Sequence, residues 1–515
     1  MEVAMQRKNR VVVDGSALEI ADVVAVARYG ARVELTASVI AEIHRAREWV
    51  QTIVGQETPV YGITTGLGDL CRIRINADER RELSMRIVKS HACGVGDPLP
   101  EEEVRAIMFC QVLNFSHGHS GVRAIVVETL VEMLNRRITP WVPSQGSVGY
   151  LTHMAHVALV MIGLGQAYYQ GELQPGALAM ERAGLQPVQL VEKEGLSLVN
   201  GTPCMTGIGA LAAYDAFVLA RWADVVGSLS IEALGGSSEP FDERVQNVRP
   251  FKGQGIVANN IRCMIKGSDL INSNRANQVQ DPLSLRAIPQ VHGACRDQIE
   301  QVVATITTEM RSATDNPLVF EDSNGPVAIS SCNAHGEPVA LATDTLCLAV
   351  SELASISERR QHRLLNPYVN NLPAFLIENS GLNTGFMITQ YVSASLVAEN
   401  KVLSHPISVD SIMTSALQED HVSMGTPAAI KARQVTRNSQ KVLAIELLLA
   451  GQALDFHRAS HVLGRGTSAV YRMLRERVDF RHDDREFSED LRAVISMIEG
   501  HADLAILERA IGTLG

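Results

Sequence analysis

Apolar residues recur at helical spacing through most of the chain, and short glycine-containing polar stretches interrupt them. Residues 18–28 and 36–54 have the spacing of amphipathic helices, with Thr36 placed to cap the second. Val11 to Val13, followed by Asp14-Gly15, predicts a short strand and turn. Residues 79–90 predict another helix and 101–134 one or two more. A turn-rich approach at 143–149 leads into a mostly apolar run at 150–165 that predicts a buried helix. Residues 188–199 predict a strand or extended segment before the turn Asn200-Gly201-Thr202-Pro203. Beyond residue 208 long helical patterns dominate. Residues 211–234 are apolar on most faces, which predicts a helix at the centre of a bundle. Residues 385–403 and 431–456 read alike, and 488–514 predict an amphipathic helix pair. Polar loops fall at 272–282, 314–317, 330–338 and 406–424, placed to converge at the bundle's end, where helical folds often hold a pocket. The expected fold is mainly α: a mixed N-terminal domain over 1–205 and a long-helix bundle over 206–515.

Composition sharpens this picture. Aromatic residues make up only 4% of the chain, so its Ala, Leu, Val and Ile favour helix-on-helix packing over a β-sandwich. A net charge of −11 excludes the basic stripe of a nucleic-acid-binding surface. The eight cysteines are scattered without a CxxC pair, which reads as free thiols in a reducing compartment. The first ten residues lack an apolar h-region, and the run at 154–164 is far short of a spanning helix. A cytoplasmic protein without membrane contact is expected. No local metal-ligand spacing is present: His153 and His156 stand three apart with no carboxylate or third histidine beside them. GxSxG and phosphate-loop patterns are missing too. Pattern alone reaches only a helical enzyme or a non-catalytic helical scaffold.

The polar loops carry more. In order they read Tyr61-Gly-Ile-Thr-Thr-Gly-Leu-Gly68, Ser90-His-Ala-Cys-Gly-Val-Gly96, Gly146-Ser-Val-Gly149 and Leu198-Val-Asn-Gly-Thr202. Then come Gln280-Asp-Pro-Leu-Ser-Leu-Arg286, Thr314-Asp-Asn-Pro-Leu318, His335-Gly-Glu-Pro338 and Gln418-Glu-Asp-His-Val-Ser-Met424. This series closely resembles the aromatic amino-acid ammonia-lyases and aminomutases, over nearly the whole chain. The resemblance implies a fumarase/aspartase-like helical bundle, a homotetramer with shared active sites, and a small amino-acid substrate. It also implies an electrophile made by the protein itself: an Ala-Ser-Gly tripeptide cyclised to methylidene-imidazolone (MIO). In this sequence Gly149 abuts Tyr150 directly, and the family's flanks align on both sides if three residues are absent. One reading is a catalytically dead relative. The other is that the matured group, no longer an ordinary residue, is not written among the one-letter codes and lies between Gly149 and Tyr150. Loss of that one unit with every surrounding loop retained is improbable, which favours the second.

By the same resemblance Tyr61 is the base for the substrate's β-proton, which requires nearby positive charge or dipoles to favour the phenolate. Asn200 hydrogen-bonds the MIO carbonyl. Arg286 grips the substrate carboxylate, and Gln280 and Asn316 complete that polar wall. Ser90 and His91 resemble the histidine and tyrosine types, His91 donating to the substrate ring. Glu419, after Gln418, is the histidine-type choice, and Met387 lines the substrate site. Histidine is narrowly favoured over tyrosine, with a 2,3-aminomutase as the alternative activity. Several positions depart from the family. Leu283 replaces a second active-site tyrosine, Thr64 an asparagine, Leu67 and Ala334 phenylalanines, Leu417 an asparagine, and Tyr150 an aspartate. These changes imply a reshaped pocket. No metal is expected.

Overall fold

The computed structural model describes residues 8–56, 59–273, 279–458 and 460–515. Residues 274–278, within the loop expected at 272–282, lie outside that set, as do the first seven. The chain forms two compact units: Met1–Tyr214 with Val303–Asp344 and Pro406–Arg433, and Asp215–Val302 with Thr345–His405 and Gln434–Gly515. They interleave along the chain where the sequence pattern drew a single boundary at 205/206.

In the first unit Arg10–Val13 pairs in parallel with Arg32–Leu35, Val11 opposite Val33. The helix Ile20–Ala27 makes the crossover that parallel pairing needs. Helix Ala37–Gly55 starts where the sequence places it: the Thr36 hydroxyl accepts from Val39 N. Its Ala46, Trp49, Val50 and Ile53 form a buried cluster with Ile63 and Val319. Ile63 lies inside the Tyr61–Gly68 loop, so this core fixes the loop's depth. Val319 comes from a hairpin, Leu318–Asp322 against Gly325–Ile329. Arg80–His91 is the next helix, and the 101–134 stretch forms two, Glu101–Ser116 and Ala124–Asn135.

Residues 188–199 depart from expectation. The segment expected to be extended ends in a short helix, Glu194–Val199, entered through Lys193 at φ 71°. Burial of two ionic side chains decides this. The Glu194 carboxylate accepts from Val191 N at 2.9 Å, from Arg123 N at 3.0 Å and from Arg123 Nε at 2.7 Å. Those bonds close a turn that a strand would leave open.

In the second unit long helices pack around a charged core. Asp224, wholly buried, accepts from His292 Nδ1 at 2.9 Å, Arg296 Nη2 at 2.8 Å and Asn260 Nδ2 at 2.9 Å. Burial works to raise its pKa, but Arg296 and His292 outweigh it and hold the carboxyl below its usual value. Arg360 and Glu446, both fully buried, pair through two bonds at 2.5 and 2.9 Å. Such a pair gives little net stability over an apolar isostere but penalises any packing that separates its members. The apolar run at 154–164 forms the short helix Thr152–Met161. A longer apolar stretch runs over 194–233 and includes the helix Pro203–Ala233; its 18-residue apolar window is completely buried. That stretch and Glu337–Leu365 are long and apolar enough to cross a membrane by length and composition alone, whereas here most of that surface forms protein core.

Candidate active site

The first unit gathers three of the glycine-broken loops. Tyr61 is half-buried, and its phenol oxygen accepts from Gly68 N at 3.3 Å, closing the loop on itself. Gly62 sits at φ +63°, and a Cβ there would meet Leu196 Cδ2 at 2.3 Å. The loop therefore rests on the short helix that ends at Asn200, and only glycine permits that approach. A Cβ at Gly68 would meet Ser415 Oγ at 2.6 Å, which brings the turn before Glu419 against the same loop. Thr64, a departure from the family, accepts from Val60 N at 2.8 Å and braces the loop's start.

Glu419 is held by Thr414, whose hydroxyl donates to its Oε2 at 3.0 Å. The turn between them is left-handed at Ser415, Ala416 and Leu417, each with φ between 50° and 74°. Conformations of this kind cost about 1–3 kcal/mol per residue and gather at functional sites. Gln418 beside it is exposed. Burial raises the Tyr61 pKa; Gly68 N works against this, and Glu419 adds to the rise. Tyr150 is raised by burial, then by Glu419, Cys332 and Tyr61. The two phenols and the carboxylate thus form one electrostatic group. Of the positive charge or dipoles expected beside Tyr61, the Gly68 N–H dipole is present, while burial and Glu419 favour the neutral phenol.

Asn200 is buried, and its Nδ2 donates to Asp315 Oδ1 at 3.1 Å and to the Asn316 carbonyl at 2.9 Å. Both amide protons are engaged, so donation to a ring carbonyl requires one bond to be exchanged. Asp315 is itself fixed by Lys193, whose ammonium donates to Oδ2 at 2.9 Å and to Ser197 Oγ at 2.8 Å, with neither side chain of the ion pair exposed. The sequence reading missed Lys193 and Asp315. The available signal was a lysine beside the otherwise buried Leu196–Val199. Asn316 precedes a cis peptide bond, and its Oδ1 accepts from Ser331 N at 2.8 Å. That acceptor braces the loop carrying buried Ala334.

Ser90 and His91 end the Arg80–His91 helix. His91 Nδ1 lies 2.8 Å from the Ile87 carbonyl, which can only accept, so this nitrogen carries a proton. The corner beyond is pinned by His156 Nε2, which accepts from Gly94 N at 3.1 Å. Burial takes His156 down to about 4 and keeps it neutral for that role.

The second unit carries the other candidates. Gln280 turns its amide oxygen toward Arg286, accepting from Nε at 2.9 Å and from Nη2 at 2.5 Å. Gln280 thus orients the guanidinium fork. Leu283, in the same Leu283–Arg286 turn of helix, is 64% exposed. Met387 opens the helix Met387–Leu403 and is half-buried.

The junction expected to carry MIO shows strain. Leu151, between Tyr150 and the helix Thr152–Met161, has φ 81° and ψ −71°, a γ-turn geometry poorly suited to a side-chain-bearing residue. The approach is firmly held: Met424 N donates to the Val148 carbonyl at 2.8 Å, and the Thr426 hydroxyl to the Gly149 carbonyl at 2.7 Å. A Cβ on Gly149 would meet Ser423 Oγ at 3.0 Å. The glycine approach is therefore pinned up to the junction where the resemblance implies the cyclised unit.

The family profile described as aromatic amino acid lyase matches residues 18–476. This chain belongs to that family. It is 50% identical over 507 residues to a histidine ammonia-lyase of Caldanaerobacter subterraneus subsp. tengcongensis, covering 98% of this chain and 99% of that protein. Among solved structures, tyrosine aminomutase from Streptomyces globisporus superposes with a TM-score of 0.94 at 35% identity, covering 98% of this chain and 100% of that one. Histidine ammonia-lyase from Trypanosoma cruzi gives 0.91 at 37%, covering 98% and 96%. Membership makes the protein a carbon–nitrogen lyase with the helical fold of that family, whose members use MIO.

Proposed function

We propose that this enzyme eliminates ammonia from L-histidine to give the conjugated α,β-unsaturated acid. Glu419 carries the reading: a carboxylate stands in the loop facing Tyr61 and Tyr150, within a chain half-identical to a histidine ammonia-lyase over its whole length. A carboxylate suits an imidazole ring, which can donate to it or bear positive charge, better than a phenol. Tyrosine is the next candidate substrate.

Elimination needs the amine removed from Cα and a weakly acidic proton removed from Cβ. MIO, placed between Gly149 and Tyr150, supplies an electrophile that no ordinary side chain offers. Thr426, Met424 and the glycine approach hold its N-terminal flank. Asn200, kept in register by Asp315 and Lys193, lies at the end of the helix under the Tyr61 loop. Tyr61 takes the β-proton. Its neighbours favour the neutral phenol, so the cationic substrate itself brings the positive charge that draws the phenol toward ionisation. Gln280 presents Arg286 to the carboxylate.

A 2,3-aminomutase is disfavoured by the identities, 50% to a histidine ammonia-lyase against 35% to the solved tyrosine aminomutase. We place the enzyme in a homotetramer. Exposed Ile388, Tyr391, Val392 and Val402 along Met387–Leu403 support burial against another subunit. The test is incubation with each aromatic amino acid without added cofactor, followed by ultraviolet absorbance and amine analysis. Histidine is expected to yield the unsaturated acid and free ammonia. Recovered β-histidine would transfer the assignment to an aminomutase, and inertness toward every substrate would remove it.

A further inference from the structure

Two of the family loops bring together side chains with no part in the elimination. His335 and Glu337 flank Gly336 at the start of the helix Glu337–Leu365, and His421 follows Glu419 by two residues. His335 Nε2 lies 3.3 Å from His421 Nδ1, the rings stacked at 24° with centroids 5.4 Å apart. One ligand atom from each of His335, Glu337 and His421 lies within 4.8 Å of the others. Separately, Glu337 Oε2 is buried without a hydrogen-bond partner. A carboxylate oxygen in that position is costly unless a cation or donor meets it.

We propose that His335, Glu337 and His421 form a binding site for a Zn2+-class divalent transition metal. Two imidazole nitrogens bound to tetrahedral zinc at about 2.0–2.1 Å stand about 3.3–3.4 Å apart, which is the separation found here. Two histidines and one glutamate, with a remaining position open to solvent beside exposed His421, make a donor set that zinc accepts. The loops themselves are already fixed. A Cβ on Gly336 would lie 2.0 Å from Met205 Sδ and one on Gly425 2.4 Å from the same atom, so both ligand-bearing segments pack on one methionine. Bound metal ties the turn carrying Ala334 to the loop carrying Glu419. Local spacing could not reveal the site, because the two histidines are 86 residues apart in sequence.

The test is titration of chelator-treated protein with Zn2+ alone by calorimetry, and with Co2+ followed by visible absorption. One ion per chain is expected, with the strong visible bands of four-coordinate Co2+ and no thiolate charge-transfer band. His421→Ala, at an exposed position, and Glu337→Gln are each expected to weaken binding at least about tenfold, a loss already typical of outer-shell partners. Cys332→Ser is expected to leave it unchanged. Circular dichroism identifies any variant that fails to fold, and His421→Ala then decides. Absence of stoichiometric binding, full affinity in His421→Ala, or loss of binding in Cys332→Ser would each overturn the assignment. None of these readouts depends on turnover.

Discussion

Asp315→Asn is the most informative single change. Lys193 and Asp315 are an ion pair with no exposure on either side, 2.9 Å apart, and the second oxygen of Asp315 holds Asn200 at 3.1 Å. Removing one charge leaves the Lys193 ammonium buried with only neutral partners, Ser197 Oγ and an amide oxygen. Breaking a buried pair in this way costs about 3–5 kcal/mol. Removing both charges, in Lys193→Met with Asp315→Asn, is expected to restore most of that stability, since a buried pair is worth little more than an apolar replacement. Activity should not follow. In the double variant Asn200 keeps a neutral acceptor but loses a charged one, a difference of about 1 kcal/mol, or about fivefold in kcat. Urea unfolding of the three proteins, with kcat on histidine, separates the two effects. A double variant as active as the parent would refute the positioning of Asn200 through Asp315. An Asp315→Asn protein within about 1 kcal/mol of the parent would refute the ion pair's structural weight.

Other outcomes follow from the same geometry. Leu283→Tyr, at an exposed position where relatives carry a phenol, is expected to raise kcat on histidine by about tenfold or more, read as the rate of product absorbance; an unchanged rate would show that the pocket no longer uses that group. Because burial and Glu419 hold the Tyr61 proton more tightly than in the unfolded chain, kcat/KM should climb with pH without a plateau below about pH 10. The same shift gives stability that is full below the unfolded phenol's pKa and lost as pH rises through the folded one, so Tyr61→Phe should lessen the alkaline loss seen in unfolding curves. Gly195→Ala places a Cβ 2.2 Å from the Ser84 backbone carbonyl, and about 1–3 kcal/mol of destabilisation is expected in chemical unfolding.

The long helices were legible because their apolar periodicity is sustained: 211–234 announced Pro203–Ala233, and 431–456 announced Gly425–Arg458. The strand at Val11 and the Thr36 cap were legible from short-range chemistry. Glu194–Val199 was not, because the bonds that fold it come from Arg123, distant in sequence. The candidate site divides in the same way. Motif order singles out Tyr61, Asn200 and Glu419 as candidates, but it says nothing of their electrical surroundings. The phenol was expected to need positive charge or dipoles nearby; the Gly68 N–H supplies such a dipole, but burial and Glu419 act against it. Lys193, Asp315 and the His335–Glu337–His421 group depend on contacts between loops far apart in the chain, which no local pattern encodes.

The central claim is a catalytic ring between Gly149 and Tyr150. Tandem mass spectrometry of a proteolytic peptide spanning Gly146 to His156 reads that junction residue by residue. The expected fragments carry, between Gly149 and Tyr150, the added mass of Ala-Ser-Gly less the water lost on cyclisation and elimination. Borohydride treatment should shift only that mass. Fragments in which Tyr150 directly follows Gly149, with no added mass, would contradict the account.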